Sequence, residues 1–176
     1  GSSSTSSTTI SSNMITTGGT GGGNHGIDVG PSGTSSVSSN DIFDNRVFTS
    51  GGAAGNLAIR VISSSFNTVS NNLFHATNSA SHVVTDSSPN TWNTALTAGT
   101  NIVGGPFLGG NAWAGTGGFS VNCVDADSDG ICDLPFNIST NNVDVLPLAV
   151  GATKLFLLGP AKVWVGLKNS DAVGLR

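Results

Sequence analysis

Apolar residues fall in short, spaced clusters along this chain, and the clusters recur. Three segments share one pattern: "TISSNMIT" (9–16), "SVSSNDIFDN" (36–45) and "NTVSNNLFHA" (67–76). Each runs from an apolar residue through small polar residues and an asparagine to a further apolar pair or near pair. The leading positions are Ile10, Val37 and Val69. A second phase lies between them, in "HGIDV" (25–29), "LAIRV" (57–61) and "SHVVT" (81–85), led by Ile27, Ile59 and Val83. Short β-branched runs between polar turns predict strands. Gly, Ser, Thr and Asn interrupt every stretch and Glu is absent, which argues against helix.

The spacing of the leaders varies: 27 and 32 residues in the first phase, 32 and 24 in the second. Variable repeats of short strands with asparagine at the bends predict an all-β, right-handed parallel β-helix. Its successive coils stack at the strand spacing of ~4.8 Å. Inward Val, Ile, Leu and Phe would form a continuous core. Asn13, Asn40 and Asn71 would form a ladder of side-chain amides at the turns. A β-sandwich is the competing architecture. Ile27, Ile59 and Val83 should then share one sheet, and Val37 and Val69 should stack on another.

The repeat suggests a domain over residues 10–150, preceded by a flexible or truncated segment at 1–9. Residues 151–176 change character. They carry four of the six basic residues, and "KLFLL" and "KVWVGL" read as strands around a Gly-Pro turn. This segment looks like the start of a second β-domain. Its strands, within 152–167, could dock on the β-helix end or pair with another chain's edge.

Composition narrows the classes of function. Net charge is −4 with only six Lys and Arg, which disfavours a nucleic-acid partner. No apolar run reaches the ~20 residues that span a bilayer.

What acid there is concentrates in one place. Asp125, Asp127, Asp129 and Asp133 lie within "DADSDGICD", and the only two cysteines, Cys123 and Cys132, sit beside and within it. Alternating Asp125, Asp127 and Asp129 followed by Gly130 match the opening of an EF-hand-like calcium loop. The pattern assigns the backbone carbonyl of Ile131 and the side chain of Asp133 as further ligands. Position 136, where a bidentate Glu belongs, is Phe, and Asp144 could supply a later carboxylate. Oxygen donors of this kind favour Ca²⁺ over a transition metal. A solvated acidic turn is the plainer alternative. Cys123 and Cys132 could close a disulfide across the loop, implying an oxidising compartment, or could be reduced core thiols.

Catalysis has thinner support. His25 and Asp28 share "GNHGIDV", and Asp44 falls one coil on, so a carboxylate pair Asp28 and Asp44 with His25 is the candidate set for a polysaccharide hydrolase or lyase. No G-x-S-x-G elbow is present. Met14, His25, His75 and His82 could hold copper only if the fold gathered them.

The downstream motifs carry a resemblance. "NTWNT" (90–94), "TNIVGGPFLGGNAW" (100–113), "DADSDGICDLPF" (125–136) and "NNVDVLPL" (141–148) occur in the order of the C-terminal end of NosD-like parallel β-helix proteins. Those belong to a wider carbohydrate-binding and sugar-hydrolysis group of periplasmic and cell-surface β-helices. Two positions depart from the family pattern: Ala112 stands before Trp113 where an aromatic is usual, and Phe136 replaces Tyr after Pro135. The resemblance implies a secreted, periplasmic or cell-surface module, structural or binding carbohydrate. The alternatives it leaves open are a polysaccharide-active enzyme and a periplasmic copper-accessory protein, NosD itself being linked to copper-site maturation of nitrous oxide reductase.

Overall fold

The computed structural model describes residues 7–31, 37–51, 55–78, 81–86 and 88–151. The expected second-domain strands at 152–176 lie outside the described residues, as does most of the 1–9 segment. The first circuit of chain contains β1 (Thr9–Ser11), β2 (Met14–Gly19) and β3 (Ile27–Val29). The second contains β4 (Val37–Ser38), β5 (Asp41–Phe43), β6 (Arg46–Gly51) and β7 (Leu57–Val61). The third contains β8 (Ser64–Ser65), β9 (Thr68–Ser70), β10 (Leu73–Asn78) and β11 (Ser81–Thr85). Then come β12 (Thr97–Ala98), β13 (Phe107–Leu108), β14 (Ala112–Gly115), one helical turn α1 (Phe119–Asn122), β15 (Phe136–Ser139) and β16 (Asn142–Asp144).

Strands of equal rank pair with their counterparts in the next circuit, in parallel. The sheets are β1-β5-β9, β2-β6-β10-β14 and β3-β7-β11, with β4 beside β8. Among the described strands, only the hairpins β12-β13 and β15-β16 are antiparallel. Parallel pairing of non-consecutive strands is incompatible with an antiparallel sandwich. The expected register of the second phase is observed: Ile27 pairs with Ile59, and Ile59 with Val83.

The first phase needs a correction. Val37 and Val69 do not share a sheet. Ile10 pairs with Ile42 and Ile42 with Val69, while Val37 pairs with Ser64. The physical reason is that the circuits turn at asparagines at more than one corner, and two long ladders run at different corners. One ladder runs Asn13, Asn45, Asn72, Asn111: each backbone N–H donates to the side-chain oxygen of the next, at 3.0–3.2 Å. The other runs from the Thr8 backbone through Asn40, Asn67 and Asn90 to Asn142, at 3.0–3.1 Å. Asn13 and Asn40 therefore belong to different ladders, and Asn71 to neither. A shorter ladder joins Asn24 to Asn56.

The residue before most of these asparagines bends the chain. Ser12, Ser39, Asp44, Phe66 and Asn71 all have φ between 50° and 59°. That left-handed conformation costs about 1–2 kcal/mol for a residue with a Cβ. The buried amide bonds of the following asparagine offset it.

Strand alternation then sorts the side chains. Ile15, Val47, Phe74 and Trp113 occupy one inward row, and Trp92 extends the row of Val69. Trp113 meets Phe74 and Phe136 with ring centroids 5.0 Å apart in each case, closing the core with aromatic rings. A second core lies on the outer face of β6, β10 and β14. There Phe48, Leu73, Ala112 and Ala114 are covered by Val103, Ile131, Leu148 and Val150.

Candidate functional site

The outward face of the β1-β5-β9 sheet is a grid of short polar side chains. Register places Thr9 beside Asp41 and Asp41 beside Thr68, with Thr91 bridged to Thr68 on the far side. The neighbouring row is Ser11, Phe43 and Ser70. Phe43 is partly exposed, at 36%. Its ring is outward because Ile42 occupies the core between it and Asp41.

A wall rises beside this floor. Between Asn72 and Asn111 the chain makes a long excursion, and its residues 94–108 carry the hairpin β12-β13. The excursion is clasped to the bend after β5. The Asn71 amide donates to Asp44 Oδ1 at 2.5 Å, and its oxygen accepts from the Ile102 backbone N–H at 2.8 Å. Arg46 Nη2 donates to the Ile102 carbonyl at 2.9 Å. Asn101 ties the loop to itself, accepting from the N–H groups of Val103 and Gly105 and donating to the Phe107 carbonyl. Floor and wall enclose an open groove of about 640 Å³ lined by Asp41, Phe43, Asp44, Thr68, Thr94 and Thr100 among others. This lies within the ordinary size of a small-molecule site.

The groove takes one of the three residues suggested for catalysis. Asp44 lines it, but Asp28 does not. Asp28 points outward from β3, between inward Ile27 and Val29, and pairs with Arg60 at 2.7 Å. His25 precedes β3, and its Nδ1 is buried with no partner among the described residues. The proposed set of Asp28, Asp44 and His25 is thus divided between two sheets and does not line one cavity. The sequence pattern did not single out Asp41 and Phe43, and it assigned Asn71 to a ladder rather than to this clasp. The usable signal was that "DIF" and "TVS" are equivalent strands whose first and third residues face outward.

The acidic loop is closed by a disulfide between Cys123 and Cys132, with Cα atoms 5.7 Å apart. Within it, carboxylate oxygens of Asp125, Asp127 and Asp133 lie within 4.8 Å of one another. Asp129 is turned elsewhere, accepting from the Ile131 N–H at 2.8 Å. Asp125 receives the N–H groups of Asp129 and Gly130, and Asp133 that of Ala126. Asp144, suggested as a later ligand of this loop, is not in that acidic group and is committed to other partners. It is fully buried and holds Asn111 and Trp113. Burial raises its carboxyl to about 6, against the N–H donors that pull it down.

The other two histidines stand on different sheets, His75 on β10 and His82 on β11. His75 of β10 faces outward against the ring of Phe48, at 5.5 Å. His82 Nε2 contacts the Ala114 carbonyl. Burial holds both below the usual histidine range.

The described residues thus form an all-β chain of stacked parallel strands, with a polar groove on one sheet and a disulfide-closed acidic loop. The model of the NosD family, described as "Periplasmic copper-binding protein (NosD)", matches residues 1–118, and the chain belongs to that family. The match includes the Asn111-Ala112-Trp113 element and the groove, and ends before the acidic loop. No curated protein and no solved structure matches the chain. No helix among the described residues is long and apolar enough to cross a membrane.

Proposed function

We propose that this chain is an extracytoplasmic binding module: a right-handed parallel β-helix over residues 10–150 that holds carbohydrate in the groove on its β1-β5-β9 sheet. The observation that carries the reading is the groove itself. Hydroxyl, carboxylate and amide groups from adjacent strands, with one exposed phenyl ring, match a ligand that is rich in hydroxyls yet has apolar faces. A rigid floor of strands keeps these groups in place before binding, which limits the ordering cost. The disulfide fits a periplasmic, secreted or cell-surface location, where thiols oxidise.

The acidic loop is assigned a structural Ca²⁺. Three carboxylates held within 4.8 Å repel one another, and a hard cation neutralises them. Asp125, Asp127 and Asp133 would be the side-chain ligands, with the Ile131 carbonyl as a further one; Asp129 could join only by giving up its bond from the Ile131 N–H.

Copper, named in the family description, does not suit the donors present. Both cysteines are consumed by the disulfide. Met14 stands on β2, with Phe48 of β6 between that strand and His75 of β10. The one group of three or more potential ligands among the described residues is all carboxylate, which disfavours copper there.

Binding to a panel of immobilised polysaccharides, measured by affinity electrophoresis, tests the carbohydrate reading. Retardation by at least one polysaccharide is expected. Unretarded migration on every gel would overturn the reading.

A further inference from the structure

We infer that the groove selects uncharged glycan chains, laid across the strands so that successive sugars meet successive circuits, with Phe43 as the stacking platform. The inference rests on the carbohydrate reading of the same groove and adds its ligand class and orientation.

The charge of the lining carries the selectivity. Asp41 and Asp44 both face the groove, and among the described residues no Lys, Arg or His lines it. The nearest candidate cation on the same bend, Arg46, is spent on the Ile102 carbonyl and is outside the lining. The Asp44 carboxylate is partly satisfied by Asn71, whereas no partner is seen for Asp41 among the described residues. A uronate, sulfate or phosphate on the ligand would meet two like charges with no cation among the described lining residues to balance them. A sugar hydroxyl, by contrast, donates well to a carboxylate.

The orientation comes from the register. The polar positions repeat along the stack of strands rather than along any one strand: Thr9, Asp41, Thr68 and Thr91 in one row, Ser11, Phe43 and Ser70 in the next. Each strand is only three residues long, so a ligand lying parallel to it would soon leave the sheet. A chain running across the strands meets a donor or acceptor on every rung, at the ~4.8 Å strand spacing. The wall at 94–108 runs beside the two central rungs, those of Asp41 and Thr68, so Thr94 and Thr100 face the ligand there from one side.

Titration calorimetry with neutral hexose oligomers and with oligogalacturonides of matched length tests this. The wild type, Phe43→Ala, Asp41→Asn, Thr68→Arg and the control Phe66→Ala would be compared. Phe66 is exposed outside the lining. Neutral oligomers should bind the wild type at least tenfold more tightly than the uronates. Phe43→Ala and Thr68→Arg should each weaken neutral binding tenfold or more, Phe66→Ala less than twofold, with melting temperatures unchanged. Asp41→Asn should narrow the neutral-to-uronate ratio. If oligosaccharides bind but the groove variants leave affinity within twofold, the site is elsewhere: this inference and the groove as the site both fall, and only carbohydrate binding itself survives. Uronates binding as tightly as neutral oligomers would overturn the selectivity while leaving carbohydrate binding intact. Failure of every oligosaccharide to bind removes both readings.

Discussion

The indole N–H of Trp113 donates to Asp144 Oδ2 at 2.9 Å, and the same carboxylate oxygen lies 2.8 Å from the backbone nitrogen of Asn111. Asp144 thereby stands where a further asparagine would continue the ladder Asn13, Asn45, Asn72, Asn111. The other ladder ends the same way: Asn142 accepts from the Trp92 indole at 2.8 Å. A strand stack must satisfy its last row of donors or leave them orphaned in the interior. Here two tryptophans fill the end of the core while their N–H groups join the last rung of each ladder.

Asp144 makes the end of the stack responsive to pH. Its carboxyl is raised from the ordinary 3.8 to about 6 in the folded chain, so the native state holds the proton more tightly than the unfolded state does. The stabilising effect of that proton is complete below about pH 4 and fades as pH rises through 6, amounting to about 3 kcal/mol. Asp144→Asn should remove this dependence. Urea unfolding of both forms should show the variant gaining about 3 kcal/mol on the wild type between pH 4 and 7. Parallel pH profiles would refute the assignment.

Asn72 is the rung whose loss should cost most. It is fully buried, accepts from the Asn45 backbone, and donates to the carbonyls of Ile42 and Ser70. Asn72→Ala would leave several buried groups without partners. Each such group costs about 1–3 kcal/mol, so destabilisation of about 3–5 kcal/mol is expected by chemical denaturation. Asn71→Ala, one residue away, should cost much less and should instead loosen the 94–108 wall, read as faster amide exchange at Ile102.

Calcium should raise the melting temperature. A site lacking the terminal Glu should bind near ~10⁻⁴ M, so 10 mM Ca²⁺ would add about 2.7 kcal/mol. Asp127→Ala should abolish the rise. Identical melting in excess calcium and in chelator would leave the loop as an acidic turn.

The disulfide spans nine positions of sequence. Closing so small a ring stabilises by about 2–3 kcal/mol through the unfolded chain. Replacing Cys123 and Cys132 together by Ser should lower stability by that amount. The calcium response should weaken too, since Asp133 adjoins Cys132. An unchanged denaturation midpoint would show that the rest of the loop holds itself.

Local pattern alone was enough for part of this molecule. Alternation identifies the strands and places Ile27 and Ile59 in one register because "IDV" and "LAIRV" each carry one apolar phase, whereas "SHVVT" carries two and the structure sets Val83 opposite Ile59. The acidic loop and its flanking cysteines are likewise contiguous in sequence, so their proximity follows from chain length alone. Alternation also shows, once the strand is assigned, that Asp28 must face away from the core.

Only the tertiary structure decided which asparagine is a rung. Asn71 and Asn72 are neighbours of the same type, and one faces the core while the other clasps a loop. The choice depends on which backbone N–H of the preceding circuit comes within reach. The ladder steps vary from 23 to 52 residues, so no fixed period encodes that meeting. The same holds for Ile10 against Ile42, for the groove wall and for Asp144. Each is set by a hydrogen bond or a packed face that closes across a long excursion of chain, and such closures exist only once the circuits have stacked.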